Sequence, residues 1–241
     1  ILSFGVLKYT SVGMTSALNI YFGTYFWGFN SAQLAILTVD SLAGAFLALF
    51  FAPLVSKKFG KRNAAFYLAI LAVMFASTPY LLRFAGLMPE NGEPGLVAAV
   101  FAFSMLFQLC GVSSAVLTHA MIGDIVEESQ LRTGRRSEGL FYAANTLMQK
   151  STSGLGVFAA GMLVAIVGIV PGSDPRTIDP EIPRMLALVY VPTLIVLYIG
   201  GAGFLFAYRI DRTSHEANVE ELARRDRASS VNADEIPDPA Q

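Results

Sequence analysis

Charge is scarce in this sequence. Charged residues form 15% of its 241 residues, and the formal net charge is −1. Binding nucleic-acid phosphates takes a dense basic patch, whereas Lys and Arg here are scattered in short segments, so no nucleic-acid partner is expected. Cysteine is nearly absent. Cys110 alone rules out an internal disulfide, and with only His119 and His215 to join it no metal site is expected. Position 1 is not Met, no signal-peptide pattern follows, and Ile1 already lies in an apolar run. The sequence therefore reads as the rear part of a longer polypeptide.

Apolar side chains are in excess. Hydrophobic residues reach 54% and mean hydropathy is +0.54, too apolar for a soluble domain of this length. About 20 helical residues cross roughly 30 Å of hydrocarbon. Six runs of that length can be marked, at about 2–25, 33–55, 64–83, 96–122, 139–169 and 185–209. They are predicted helices because a bilayer offers backbone groups no hydrogen-bond partner, and no run alternates apolar with polar as a barrel strand would. Turn residues separate them at Trp27 to Asn30, at Pro89 to Pro94 and at Pro171 to Pro183.

Orientation follows from the cations. Lys57, Lys58, Lys61 and Arg62 follow the second run, Arg132, Arg135 and Arg136 the fourth, and Arg209, Arg212, Arg224, Arg225 and Arg227 the sixth; the alternate connections hold only Arg83, Arg176 and Arg184. The positive-inside bias then puts Ile1 and the C-terminal tail on the cytoplasmic side of the membrane. The bundle would occupy residues 1–210. The tail, 211–241, reads as a short helix capped by Thr213 or Ser214, with Glu220–Arg224 and Glu221–Arg225 at i,i+4, and then a disordered end from Ser229.

A charge at the bilayer centre costs about 2.5–3.5 kcal/mol, so intramembrane charges are candidate functional groups. Lys150 lies about 17 Å along a helix from Gly139, near the midplane. Glu138, Tyr142, Asn145, Gln149 and Thr152 recur at helical spacing, with Thr146, Lys150 and Ser153 in the next stripe. A polar stripe on an apolar span faces protein or water rather than lipid, so Lys150, Asn145, Gln149, Tyr142 and Thr146 are the expected cavity wall. Gly154, Gly156 and Gly161 follow and point to close helix packing. Asp40, His119 and Gln108 are further intramembrane polar groups and join the candidates. The competing reading is a buried ion-pair partner for Asp40 and a satisfied structural histidine for His119.

Two charged segments look mechanical. One is the basic turn Lys57, Lys58, Lys61 and Arg62. The other runs from Asp124 to Glu138, where Asp124, Glu127 and Glu138 interleave with Arg132, Arg135 and Arg136. The second reads either as a solvated surface, where such pairs contribute little, or as a cytoplasmic gate of exchangeable ion pairs.

Asp124-Ile-Val-Glu127, Arg132-Thr-Gly-Arg135-Arg136-Ser-Glu138-Gly-Leu-Phe-Tyr142, Asn145 and Gln149-Lys150 together resemble the glycoside–pentoside–hexuronide cation symporters of the major facilitator superfamily, the melibiose-carrier-like group. The resemblance covers nearly the whole chain and is strongest over 124–150. It implies an all-α membrane protein whose six transmembrane helices form the C-terminal bundle, a 3+3 inverted repeat, of a major facilitator fold. Lys150 resembles the family lysine that organises the sugar and cation sites, and Asp124, Arg135, Arg136 and Glu138 resemble the cytoplasmic gate loop. The chain departs from the melibiose-type pattern near Ala115, which lacks the tryptophan expected to pack on a galactoside.

The expected function is cation-coupled symport of a sugar, glycoside or hexuronide by alternating access, together with an N-terminal six-helix half. No cofactor is expected beyond the coupling ion, Na+ or H+, whose main site the resemblance assigns to that other half. A carrier for lysolipids or amphipathic drugs, which would need a more apolar cavity, and a non-transporting membrane sensor or assembly protein are the alternatives. An enzyme is not expected. His119 and Asp124 stand about 140° apart around a helix, and no further His, Cys or Ser constellation joins them.

Overall fold

The computed structural model describes residues 2–135, 137–169, 172–174 and 177–207, with Glu221 and Arg224. Arg136 and, apart from those two residues, the expected tail helix and disordered end lie outside the described residues. Six α-helices follow one another: α1 (Leu2–Tyr21), α2 (Ser31–Phe59), α3 (Lys61–Phe84), α4 (Leu96–Thr133), α5 (Glu138–Val167) and α6 (Glu181–Gly203). A π-turn, Phe22–Phe26, prolongs α1, and a 3₁₀ turn, Phe204–Ala207, prolongs α6.

Local chemistry sets several of these ends. Asn30 accepts from the Gln33 backbone N–H while the Gln33 side chain accepts from the Asn30 N–H, both at 2.9 Å, a capping box that starts α2. Gly60, at φ 76°, makes the abrupt turn into α3. Nothing breaks α4 before Gly134, at φ 69°, so α4 extends past the expected boundary near 122. Asp124 to Glu128 are therefore helical rather than part of a loop.

Helices α2 to α6 are each long and apolar enough to cross a membrane. Their outer faces carry large exposed apolar groups such as Leu42, Leu140 and Ile166, a surface suited to lipid and unsuited to water. α1 falls short of the same apolarity because Lys8, Thr10, Ser11, Thr15, Ser16 and Asn19 interrupt it. Of these, Lys8, Thr15, Ser16 and Asn19 border the cavity described below, and Thr10 and Ser11 donate to carbonyls one turn back on α1.

Among the described residues α1 packs chiefly on α5 and α4 on both α2 and α3, while α6 lies against α1 and α3. Lipid supplies no hydrophobic drive between helices, so close backbone approach matters. A Cβ at Gly13 would come 2.1 Å from the Ser153 carbonyl oxygen, and one at Gly156 would come 2.0 Å from that of Thr10. A Cβ at Gly44 would stand 2.7 Å from the Gln108 Cβ, which marks the α2–α4 crossing. Of the glycines expected to mediate packing on α5, Gly156 does so; Cβ atoms at Gly154 and Gly161 would meet nothing within 4 Å. An aromatic cluster of Phe22, Phe26, Trp27, Tyr80 and Tyr190, with ring centroids about 5–6 Å apart, closes the end of the bundle near the π-turn.

Candidate functional site: a polar cavity and a charged end

A cavity of about 420 Å³ opens between the helices. Lys8, Val12, Thr15 and Asn19 supply one wall from a single stripe of α1, and Ser104, Gln108, Gly111 and Ala115 supply another from α4. Spacings of three and four residues keep each set on one helical face. Ser41 of α2, Tyr80 of α3, Gln149 of α5 and Tyr190 and Tyr198 of α6 add further polar groups, and Leu37, Phe75, Val100 and Phe107 supply apolar wall. Trp27, just after the π-turn, also borders it. The insertion of one residue in that turn is the kind of helix irregularity that often re-aims side chains at functional sites.

Lys8 is the residue that reading the sequence missed. It is 3% exposed, its ammonium donates to the Gly111 carbonyl at 3.3 Å, and it lies 5.3 Å from the Phe4 ring centroid. Among the described residues no carboxylate stands within ion-pair distance of it. The signal was present, since Lys8 is the lone charge within the first apolar run and heads the stripe that runs on to Asn19.

The expected cavity residues separate into several places. Gln108 and Gln149 border the cavity. Asn145, 2% exposed, sits where three helices meet: its amide lies 3.3 Å from His119 Nε2, and it is hydrogen-bonded to the Tyr9 hydroxyl. His119 Nδ1 lies 2.9 Å from the Ala115 carbonyl, so the ring donates there and accepts from Asn145 through Nε2. The Tyr142 hydroxyl lies near Gly123 on α4. Thr146 and Lys150 are exposed and do not line this cavity, because one residue beyond Gln149 is a rotation of about 100° around the helix. Asp40 is 1% exposed and stands behind the wall, where its Oδ1 accepts from Ser41 at 2.9 Å.

At the opposite end of the bundle from the π-turn, the basic turn and the acidic stretch meet. Lys61 Nζ is 2.6 Å from Asp124 Oδ1, a contact that joins the start of α3 to α4. Arg132 pairs with Glu128 one turn back on α4. Arg62 donates to Asn63 at 3.4 Å. Lys57 and Lys58 are exposed in the last turn of α2, where cations suit the helix dipole. Glu127 is half-buried on α4, Arg135 is exposed in the turn after it, and Glu138 is exposed at the first position of α5.

A cavity inside a lipid-suited bundle, lined by apolar and aromatic side chains with hydroxyl, amide and ammonium groups set among them, has the chemistry to hold a small solute with polar groups. Residues 1–212 match the family model described as MFS/sugar transport protein. Over 229 residues the chain is 27% identical to a Synechocystis sp. protein called an uncharacterized symporter, covering 93% of this chain and 40% of that protein. A Bacillus subtilis protein, also called an uncharacterized symporter, is 23% identical over 223 residues, 91% of this chain and 45% of its own. A protein of Lactobacillus delbrueckii subsp. bulgaricus called lactose permease is 26% identical over 215 residues, 88% and 32% respectively. The chain thus spans less than half the length of each of these relatives.

Proposed function

The chain belongs to the MFS/sugar transport protein family, a family of membrane transporters and not of enzymes, and from that premise we infer that residues 1–210 form the C-terminal six-helix half of a secondary carrier. The packing of α1 on α5 has its counterpart in that of α4 on α2, and α3 meets α6. A 3+3 repeat that exchanges the two triplets would produce this pattern. Relatives more than twice as long agree with a second half that would close the cavity from the other side.

The carrier couples uptake of a sugar, glycoside or hexuronide to H+ or Na+ and exposes the solute alternately to each side of a bacterial inner membrane, with the Lys61–Asp124 end cytoplasmic. The cavity carries this reading. Its hydroxyl and amide groups on α1, α4 and α5 match the donors and acceptors of a polyol, and its tyrosines offer apolar ring faces. Within the sugar reading, Lys8 favours an acidic solute, because a buried ammonium without a counter-carboxylate among the described residues suits a carboxylate. Asn145 with His119 and Tyr142 brace the cavity, and Lys150, on the outer flank of α5, contacts the other half or tunes the coupling ion. Asp124 and Lys61, with Glu127, Arg132, Arg135, Arg136 and Glu138, hold the cytoplasmic gate.

Counterflow in proteoliposomes containing the complete carrier tests this reading. A panel of neutral sugars, glycosides, hexuronides and lysolipids is run under H+ and Na+ gradients. Exchange of a sugar-class solute is the expected result, and exchange of lysolipid alone, or of nothing, sinks the reading.

A further inference from the structure

Asp40 lies behind the cavity wall, and its surroundings are built by this chain alone. It is 1% exposed on α2. Its Oδ1 accepts from the Ser41 hydroxyl at 2.9 Å, and Ser41 Oγ accepts from Gln108 Nε2 at 3.0 Å. Both Ser41 and Gln108 reach the cavity. Asp40 Oδ2 is buried and meets no protein donor among the described residues. A charged oxygen held in an apolar interior without a donor is costly, and that cost is relieved when the group takes up a positive charge. A proton needs one lone pair.

We propose that Asp40 is a proton-binding carboxyl and that Ser41 and Gln108 report its protonation to the solute cavity. This rests on the cavity being the solute site. Ionised Asp40 can only accept, so Ser41 donates to it and in turn accepts from the Gln108 amide N–H, which leaves the Gln108 carbonyl directed away from Ser41. Neutral Asp40 can donate to Ser41 Oγ instead. Ser41 then donates its own proton to the Gln108 carbonyl, and the amide turns over to offer its N–H groups on the other side. One proton is taken from water on acidification and returned on ionisation, and only O–H bonds are made or broken. A solute group opposite Gln108 therefore meets an acceptor in one state and a donor in the other, which is the differential interaction that coupling requires.

The charged and titratable surroundings are sparse. α2 packs on α4 and α3. On α3, Tyr80 is as far beyond Gly60 as Asp40 is before it. On α4, Cys110 is the titratable group nearest Gln108 in sequence. Neither is hydrogen-bonded to Asp40, whose one partner among the described residues is Ser41. Lys8 faces the same cavity from α1 and is tied to Gly111, one turn along α4 from Gln108.

The intact carrier is examined by infrared difference spectroscopy between about pH 5 and about pH 9. The wild type is expected to gain the carbonyl band of a neutral carboxylic acid on acidification, Asp40→Asn to lack it, and Asp40→Glu to regain it. Affinity for the solute identified by counterflow changes about tenfold over the same range in the wild type and is flat in Asp40→Asn. Ser41→Ala keeps the band and flattens the affinity. A band that survives in Asp40→Asn, or an affinity that follows Na+ and ignores pH, overturns the proposal. A carrier that exchanges no solute sinks the solute reading of the cavity, whereas the infrared band decides the proton site independently.

Discussion

Lys61 Nζ and Asp124 Oδ1 stand 2.6 Å apart, with the lysine side chain 33% and the aspartate 6% exposed. Two segments far apart in sequence, each legible only as a charged patch, thereby become one contact between α3 and α4. Removing the lysine takes from a nearly buried carboxylate the ammonium that stands 2.6 Å from it. Lys61→Gln is expected to destabilise the bundle by about 2 kcal/mol, seen as a lower unfolding midpoint in detergent. The exchange Lys61→Asp with Asp124→Lys should recover part of it. A single variant as stable as the wild type would show that the pair contributes nothing.

Helix contact between α1 and α5 depends on two missing side chains. Gly13→Ala and Gly156→Ala each force a carbon to about 2 Å from a backbone oxygen and are expected to cost about 1–3 kcal/mol. Gly154→Ala, where nothing lies within 4 Å, is the matched control. Equal thermal stability of all three variants would contradict the crossing.

Lys8 and Lys150 are expected to fail differently. Lys8→Met should weaken binding of an acidic solute roughly tenfold to a hundredfold, the value of one charge-assisted hydrogen bond, with membrane insertion unchanged. Lys150→Ala should abolish ion-driven accumulation without that loss of binding. Equilibrium binding and uptake measured on the same preparations separate the two. Normal accumulation in Lys150→Ala would remove that lysine from the mechanism.

Arg83 ties together the end of the bundle near the π-turn. It donates to the Pro89 carbonyl and to Asn91 Oδ1, Asn91 donates to the Phe26 carbonyl at 3.1 Å, and the guanidinium lies 5.8 Å from the Trp27 ring centroid. Arg83→Ala is expected to loosen the loops at 27–30 and 85–95 and raise their backbone hydrogen exchange by about tenfold or more. Unchanged protection there would show that the loops are held by other contacts.

Much of the chain was legible beforehand because a bilayer leaves few choices. Apolar runs of sufficient length must be helical, and turn residues mark where they stop. The helical spacing on α5 also carried real information: Tyr142, Asn145, Gln149 and Thr152 turn inward or are half-buried, and Thr146 and Lys150 turn out. Helix α4 was harder to end, since charge at Asp124 resembles the end of a span, yet charged residues are good helix formers and only Gly134 breaks the geometry. A single cation near the end of an apolar run, as at Lys8, has in sequence the same form as an interfacial anchor. Its burial depends on α4, which supplies Gly111 from more than a hundred residues away.

Composition and periodicity alone determined that this is a helical membrane protein with a polar stripe on α5 and cations on alternate connections, because those properties follow from backbone hydrogen bonding in lipid and from the 3.6-residue turn. Only the tertiary structure decided which stripes share a cavity, that Lys61 reaches Asp124, and that Ser41 and Gln108 lie between Asp40 and that cavity. Such pairings depend on how helices cross, and at Gly13, Gly44 and Gly156 the crossing depends on the space left by an absent Cβ.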